Sequence, residues 1–474
     1  MVVDLDGTLT PTDTLYESLF QLARQDPRVL LRLPSWLAGG RAYFKSELAR
    51  RQSLAADSLP YCESLVEYLR QEKARGRRII LATAANRQIA DSIARHLGLF
   101  ELVLASDESV NLKGECKRQA IVEAVGQRFV YAGDCAADLP IWKGASAAVL
   151  VGVTAAVARQ VRSSTPIERE FARPRAGLRG WLRAVRVHQW LKNLLLFIPL
   201  LTAFAFSNLD KLGSLAIAFL AFSLTASATY LANDLLDLNS DRAHPRKRYR
   251  PLACALVSLP AAMVAAVALL LGGLGLGFAV SGSFLLVLLL YLAVTFAYSW
   301  VLKEYVLIDV LVLSLLYTIR ILAGSVAVGI SLSEWLLAFS VFLFLSLALI
   351  KRCSELVVLE RSGKASSQGR DYRVGDLTVF WPLGVSAAMS AVVVFGLFIS
   401  AAETRARYAS PLLLWLVAVG LMYWLGRLWI KTSRGEMHDD PVIYAIKDRG
   451  SRVTVLAMVA SMLCARFISV AGTP

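Results

Sequence analysis

From about residue 180 onward the chain carries one apolar run after another, each near or above the ~18 residues that a helix needs to cross a bilayer. That recurrence restricts this part to a bundle of membrane-spanning helices. The runs fall at 191–206, 212–232, 253–280, 282–302, 306–330, 335–350, 379–402, 408–430 and 453–471, which predicts about nine helices. The first and sixth are short for a bilayer, and Gly272, Gly273, Gly275 and Gly277 are placed to break the third. Ahead of residue 180 the apolar segments are short and mixed with charge, as in a soluble domain. The opening Met-Val-Val-Asp-Leu-Asp reaches charge at once and reads as no cleavable signal.

The 51 Lys and Arg outnumber the 36 Asp and Glu, for a formal charge of +15. A basic chain often meets nucleic acid, but here the cations sit in loops between apolar runs, which excludes that partner and makes the lipid bilayer the surface they face. Arg179, Arg183, Arg186 and Lys192 precede the first run. Asp241-Arg-Ala-His-Pro-Arg-Lys-Arg-Tyr-Arg250 follows the second, Lys303 the fourth, and Lys351, Arg352, Arg361, Lys364, Arg370 and Arg373 the sixth. By the positive-inside rule the soluble domain and all polar motifs are cytoplasmic and the C-terminus lies outside. The six cysteines are scattered without a CxxC pair, so neither a zinc site nor a disulfide framework is expected.

The second apolar run ends in the pattern NDLLDLNSDR, with Asn233, Asp234, Asp237 and Asp241. Offsets of three, four and seven residues put the three acids on one helical face. Acids at a membrane edge are costly unless they bind something, and oxygen-only ligands favour Mg²⁺ bridging to a phosphorylated substrate. The plainer reading is a solvated loop whose acids pair with the neighbouring Arg and Lys. Asp309 and Arg320, inside the fifth run and eleven residues apart, are either reacting groups or a buried structural pair.

In the soluble part, Val2-Val3-Asp4-Leu5-Asp6-Gly7-Thr8 reads as a strand ending in alternate acids and a turn. Arg78-Ile-Ile-Leu-Ala-Thr83 is a strand ending in a hydroxyl, and Phe129-Val-Tyr-Ala-Gly-Asp134 a third, with Asp138 four residues on. Strands ending in polar groups between helical patterns describe an α/β Rossmann-like sheet with its site at the strand carboxyl ends. Taken together these motifs resemble the haloacid dehalogenase-like phosphatases. The resemblance implies Asp4 as the nucleophile that becomes an aspartyl-phosphate and Asp6 as general acid and base. It also implies Thr83 on the phosphoryl oxygens, Lys117 (or Lys113) as the neutralising cation, and Asp4, Asp134 and Asp138 as Mg²⁺ ligands. Residues 1–160 would form this domain, with a helical cap at about 10–76, and 161–180 a linker. Only three residues precede Asp4, where the family usually has a longer strand, so either the true start lies further upstream or the first strand is expected to be poorly anchored. Val29-Leu-Leu-Arg-Leu-Pro-Ser-Trp-Leu37 in the cap suits a packed core more than a membrane surface.

Residues 181–474 resemble the UbiA superfamily of intramembrane prenyltransferases through NDLLDLNSD, the helix number and the polar loops. Where most members carry a second acidic motif, DxxxD, this chain has Leu349-Ile-Lys351-Arg352-Cys-Ser-Glu355. With Val187-His-Gln-Trp-Leu-Lys192-Asn193, Asp241-Arg242-Ala-His-Pro245 and Tyr298-Ser-Trp-Val-Leu-Lys303, this looks like the branch that transfers phosphoribose to decaprenyl phosphate. The resemblance implies Asp234, Asp237 and Asp241 on Mg²⁺, with Asn233 in support. Lys192, Asn193, Arg242, Lys303, Lys351, Arg352 and Glu355 would bind substrate, with Arg246, Lys247 and Arg248 further cations for the phosphates. The implied partners are polyprenyl phosphate and 5-phosphoribosyl diphosphate in a bacterial inner membrane, with room for an oligomer. A phosphatase fused to such a transferase could remove the 5-phosphate of its product. The rival readings are an aromatic prenyltransferase of quinone or haem type, against which the missing DxxxD counts, and a membrane scaffold without catalysis, against which both intact acid sets count.

Overall fold

The computed structural model describes residues 1–469 except 52–53, 108–109, 175, 364–370 and 438–440, so Lys364 and Arg370 lie outside the described residues. The chain divides into two compact units, one of Met1–Val187 with Tyr230–Ala268, the other of His188–Thr229 with Leu269–Pro474.

The first unit is built on a six-stranded parallel sheet, in the order β3-β2-β1-β4-β5-β6. The strands are β1 (Val2–Val3), β2 (Ile80–Asn86), β3 (Leu102–Ser106), β4 (Val130–Gly133), β5 (Ala147–Val151) and β6 (Ile167–Phe171). Successive residues alternate between two apolar layers. Val3, Leu81, Ala132 and Val149 join one, and Val2, Ile80, Tyr131 and Ala148 the other. Both faces of the sheet are therefore covered, which is why its strands read as unbroken apolar runs. The short β1 is central, Val3 pairing with Leu81 on one side and Ala132 on the other. The chain runs outward from β1 in one direction through β2 and β3, then resumes at β4 on the other side. Such a reversal opens a crevice at the strand carboxyl ends, where Asp4 and Asp134 emerge.

β6 lies inside the stretch expected to be a linker and extends the sheet to Phe171. Its Glu168, Arg169 and Glu170 are exposed, because an edge strand has one neighbour, and this hid the strand in the sequence. Between β1 and β2 run the helices of the cap, starting with α1 (Thr14–Gln25), whose N-cap Asp13 accepts the Leu15 N–H at 2.9 Å. Val29 and Trp36 pack with Leu22, Phe44 and Leu48 in a core of the cap's own. α2 (Glu115–Val125) follows β3.

α3 (Leu209–Leu236) passes a break at Asp237 into the short α4 (Leu238–Ala243). Among the described residues eight helices are long and apolar enough to cross a membrane: α3, Leu259–Val280, Gly282–Trp300, α5 (Ile308–Val328), α6 (Glu334–Arg361), Val374–Ser400, Pro411–Ser433 and Arg449–Phe467. The expected first span, 191–206, is not such a helix. It is an eleven-residue 3-10 segment, Val187–Phe197, followed by the five-residue helix Ile198–Thr202. Pro199 at the junction lacks an N–H, and Gly324 of α5 lies so close that a Cβ there would meet the Leu196 carbonyl. A 3-10 helix is drawn out, and eleven residues at about 2.0 Å plus five at about 1.5 Å still reach about 30 Å.

Leu259–Val280 runs unbroken through its four glycines. A Cβ on Gly273 would meet Thr225 Oγ1 at 2.3 Å, so a missing side chain here admits a neighbouring helix instead of breaking its own. α6 continues eleven residues past 350, to Arg361, so Lys351, Arg352 and Glu355 stand on a helix and not in a loop.

Candidate active sites

In the soluble site, Lys117 in the first turn of α2 brings its Nζ to 2.9 Å from Asp4 Oδ1 and 3.9 Å from Asp138 Oδ1. Of the two lysines in Leu112–Lys117 it is therefore Lys117 that reaches the acids. Its Nζ also donates to the Tyr131 hydroxyl at 3.1 Å, which donates to Asp138 Oδ1 at 2.9 Å. Tyr131 was not foreseen. It is an inward residue of β4 whose apolar ring disguises a working hydroxyl. Asp138 Oδ2 accepts the Asp134 N–H at 3.2 Å, so Asp138 holds the loop that carries Asp134. The Asp4 N–H is bonded to the Ala132 carbonyl at 3.0 Å. Thr83 is fully buried and its Oγ1 accepts the Ala85 N–H at 3.0 Å, leaving the hydroxyl hydrogen to donate. Asp6 Oδ1 accepts the Thr14 N–H at 2.8 Å, seating the first residue of α1.

Two glycines make the close approach of the acids possible. A Cβ on Gly7, at φ +79°, would stand 2.2 Å from Asp134 Oδ2, and one on Gly133 2.6 Å from Asp138 Oδ2. Burial first, and neighbouring carboxylates second, push Asp6 and Asp134 up to about 7. Burial pushes Asp4 up to about 6 against the pull of Lys117. Burial presses the Lys117 ammonium down, but Asp4 and Asp138 outweigh it and hold it above its ordinary value. Asp134, Cys135 and Asp138 bring ligand atoms within 4.8 Å of one another. Burial pushes the Cys135 thiol up to about 12, which leaves carboxylate oxygens as the donors, a set that fits Mg²⁺.

A pH dependence follows. Carboxyls whose folded pKa exceeds the unfolded value near 3.8 bind more protons in the native state, so their contribution to stability falls as pH rises. Metal-free protein is expected to lose thermal stability between about pH 4 and 7, and Mg²⁺ to stabilise it more at pH 8 than at pH 5. Thermal unfolding with EDTA or Mg²⁺ across that range checks both.

In the membrane half, helical bonding persists through the break after α3. The Asp237 N–H donates to the Asn233 carbonyl at 2.9 Å and the Asp241 N–H to that of Asp237 at 2.8 Å. The acids nonetheless divide. Asp234, buried, is paired with Arg186 and with Arg250 Nη1 at 3.1 Å, and the same Nη1 lies 2.5 Å from Asp241 Oδ2. Asp237 instead faces Arg24 of α1 at 3.7 Å. Arg250 Nη1 thus stands as a cation between two carboxylates, a donor arrangement that fits a divalent ion on Asp234 and Asp241. The sequence offered Arg186 and Arg250 only as cations flanking the apolar runs, not as partners of these acids.

Three further candidates are engaged within the protein. Arg242 Nη1 and Nη2 donate to Glu17 Oε2 and Oε1 at 3.0 and 2.7 Å, and its Nε to the Ala253 carbonyl at 3.0 Å. Arg352, 1% exposed, is gripped by Asp309, with Nε at 2.5 Å from Oδ2 and Nη2 at 3.0 Å from Oδ1, and by Glu355 at 2.5 Å. Tyr298 and Tyr372 hydroxyls donate to the same Asp309 at 2.8 and 2.9 Å. Asp309 and Arg320 therefore have separate partners. Arg320 donates to Asn193 Oδ1 at 3.0 Å and lies over Phe222, Tyr291 and Tyr317, while Asn193 donates to Ser223 at 2.9 Å.

The remaining cations are accessible in different degrees. Lys192, Lys303 and Lys351 are half-buried, Lys192 with its Nζ 5.5 Å from the Tyr317 ring centre, whereas Arg246, Lys247 and Arg248 are exposed. A small cleft is lined by Arg352, Glu355, Leu356, Leu359 and Tyr372.

Residues 195–446 match the UbiA prenyltransferase family, and residues 1–143 match haloacid dehalogenase-like hydrolase. An uncharacterized protein y4nM of Sinorhizobium fredii is 39% identical over 459 residues, 95% of this chain and 88% of its own. Nodulation protein NoeC of Azorhizobium caulinodans is 37% identical over 290 residues, 60% of this chain and 92% of its own. Decaprenyl-phosphate phosphoribosyltransferase of Mycobacterium tuberculosis is 32% identical over 289 residues, 60% of this chain and 93% of its own. The chain belongs to the UbiA prenyltransferase family, with a haloacid dehalogenase-like hydrolase domain at its N-terminal end.

Proposed function

We propose that the membrane domain transfers 5-phosphoribose from 5-phosphoribosyl diphosphate to a polyprenyl phosphate, and that the soluble domain hydrolyses the 5-phosphate of the product. The observation that carries the first part is the charge on α6. Where most UbiA relatives resemble one another in a second pair of acids, this helix offers Lys351, Arg352 and a single Glu355, with Arg352 committed to Asp309. A lysine on a helix whose one acid at this place, Glu355, is already bound by Arg352 suits a sugar phosphate better than further metal. The resemblance to the mycobacterial phosphoribosyltransferase supports the same donor.

In the transfer, the bond from ribose C1 to the diphosphate breaks and the diphosphate leaves with the electron pair. A lipid phosphate oxygen then attacks the oxocarbenium-like carbon. Lys192, Lys303 and Lys351 are the side chains proposed to hold the phosphates, and Asn233 and Asn193 to shape the pocket. In the hydrolysis, Asp4 attacks phosphorus while Asp6 protonates the leaving ribose oxygen; Asp6 then takes a proton from the water that attacks the aspartyl-phosphate, which releases inorganic phosphate and restores the Asp4 carboxylate, and Lys117 and Thr83 steady the phosphoryl oxygens throughout. Asp234, Asp237 and Asp241, and in the N-terminal site Asp4, Asp134 and Asp138, would hold Mg²⁺, which would offset the charge of the departing diphosphate and of the phosphoryl group.

All these groups are proposed to face the cytoplasm. With the 187–202 segment as a ninth crossing, the C-terminal end lies outside. The lipid-linked ribose so formed is the kind of precursor that arabinan and cell-wall assembly consume.

The test is donor choice. Purified protein is expected to consume radiolabelled 5-phosphoribosyl diphosphate with decaprenyl phosphate, and to leave 4-hydroxybenzoate with a prenyl diphosphate unchanged. The opposite preference overturns this reading in favour of an aromatic prenyltransferase.

A further inference from the structure

The helix that caps the phosphatase is braced against the acidic motif of the transferase. Three consecutive turns of α1 take part. Glu17 forms a bidentate pair with Arg242, Gln21 Nε2 donates to Asn239 Oδ1 at 3.0 Å, and Arg24 faces Asp237 at 3.7 Å. Residues 17, 21 and 24 recur at the spacing of one helical face, and their partners 237, 239 and 242 run from the break after α3 through α4. Glu17 is wholly buried, and its Oε1 also accepts the Thr12 hydroxyl at 2.7 Å.

Burying a carboxylate and a guanidinium together is worthwhile only if the pair is complete, since removing either member leaves an uncompensated charge. Arg242 is the residue next to Asp241, and a guanidinium freed from Glu17 has Asp241 beside it in the chain and Asp237 five residues back, at the start of the same helix. We infer that Glu17 is a positioning residue for the transferase: by holding Arg242 to α1 it keeps one more cation from competing with a divalent ion for acids that Arg186 and Arg250 already approach. This rests on the reading of Asp234, Asp237 and Asp241 as metal-binding, and does not depend on which lipid or sugar is transferred. Glu17 belongs to the N-terminal domain, so the hydrolase half of the chain supplies part of the transferase's site.

The test is Mn²⁺ binding, followed by electron paramagnetic resonance, to the detergent-solubilised full chain carrying Asp4→Asn and Asp134→Asn, so that the soluble site does not contribute. Adding Glu17→Gln, which keeps the shape of the side chain and removes its charge, is expected to weaken binding about tenfold, equivalent to about 1.4 kcal/mol. Adding Arg242→Gln to that protein removes the freed cation, and binding should return to within about twofold of the parent. In an otherwise unaltered chain, Glu17→Gln should keep hydrolysis of a soluble phosphate ester within about twofold. Undiminished Mn²⁺ binding with Glu17→Gln overturns the inference, as does weakening that Arg242→Gln leaves in place, since that is what loosened packing alone would give. Loss of ester hydrolysis in Glu17→Gln also overturns it, because Glu17 would then be holding up the fold. A parent that binds no Mn²⁺ fails earlier, and shows that the metal assignment itself is at fault.

Discussion

Asp234→Ala and Asp237→Ala are expected to abolish lipid transfer while hydrolysis of a soluble phosphate ester continues. Removing a ligand from an ion that stabilises a departing diphosphate takes several kcal/mol from the transition state, which is orders of magnitude in rate. Asp234 should be the more damaging of the two. It is buried and shares Arg250 with Asp241, whereas Asp237 is partly exposed beside Arg24. Its loss also strips Arg186 and Arg250 of a common partner, so Asp234→Asn serves as the companion that keeps the volume. Steady-state transfer and ester hydrolysis on the same preparation give the answer. Near-normal transfer by either alanine variant would sink the metal assignment.

Asp4→Asn should do the reverse. The amide nearly preserves volume and keeps a carbonyl oxygen for the Lys117 ammonium and the Leu5 N–H, but it cannot attack phosphorus. Ester hydrolysis is expected to fall at least about a thousandfold, as it does when a nucleophile is removed elsewhere. Transfer should persist, and mass spectrometry of the lipids should find the ribose 5-phosphate accumulating where the unaltered chain yields the dephosphorylated form and inorganic phosphate. Equal ratios of the two lipids in both proteins would separate the duties of the two domains.

What the sequence disclosed was whatever chemistry concentrates in short motifs. Asp4, Asp6, Thr83, Asp134 and Asp138 are legible because strand ends in a parallel sheet converge, so polar residues that close an apolar run share a crevice. Helical spacing likewise brought Asp234 and Asp241 to one cation, Arg250, but not Asp237, which turns to Arg24 beyond the break in the helix. The partners were not legible, since a side chain's partner is chosen by tertiary packing. Arg352 finds Asp309 43 residues away, Asp234 finds Arg186 48 away, and Arg242 finds Glu17 225 away. Hydropathy found where 191–206 is apolar but not that Pro199 and the close passage of Gly324 draw it into a 3-10 form. β6 was missed because an edge strand can keep its charge.

The pairing of Glu17 with Arg242 sets a clock on biosynthesis. Residues 1–171 can close their sheet as soon as they leave the ribosome, but Glu17 then waits for a partner 225 residues downstream. At about 5–20 residues per second the interval between the synthesis of Glu17 and that of Arg242 is about 10–45 s. During it α3 must enter the membrane, and one carboxylate that is sealed from water in the finished protein stays hydrated. The N-terminal domain therefore reaches its final form only after the membrane domain has begun to insert, and maturation of the hydrolase half and insertion of the transferase half are steps of a single event.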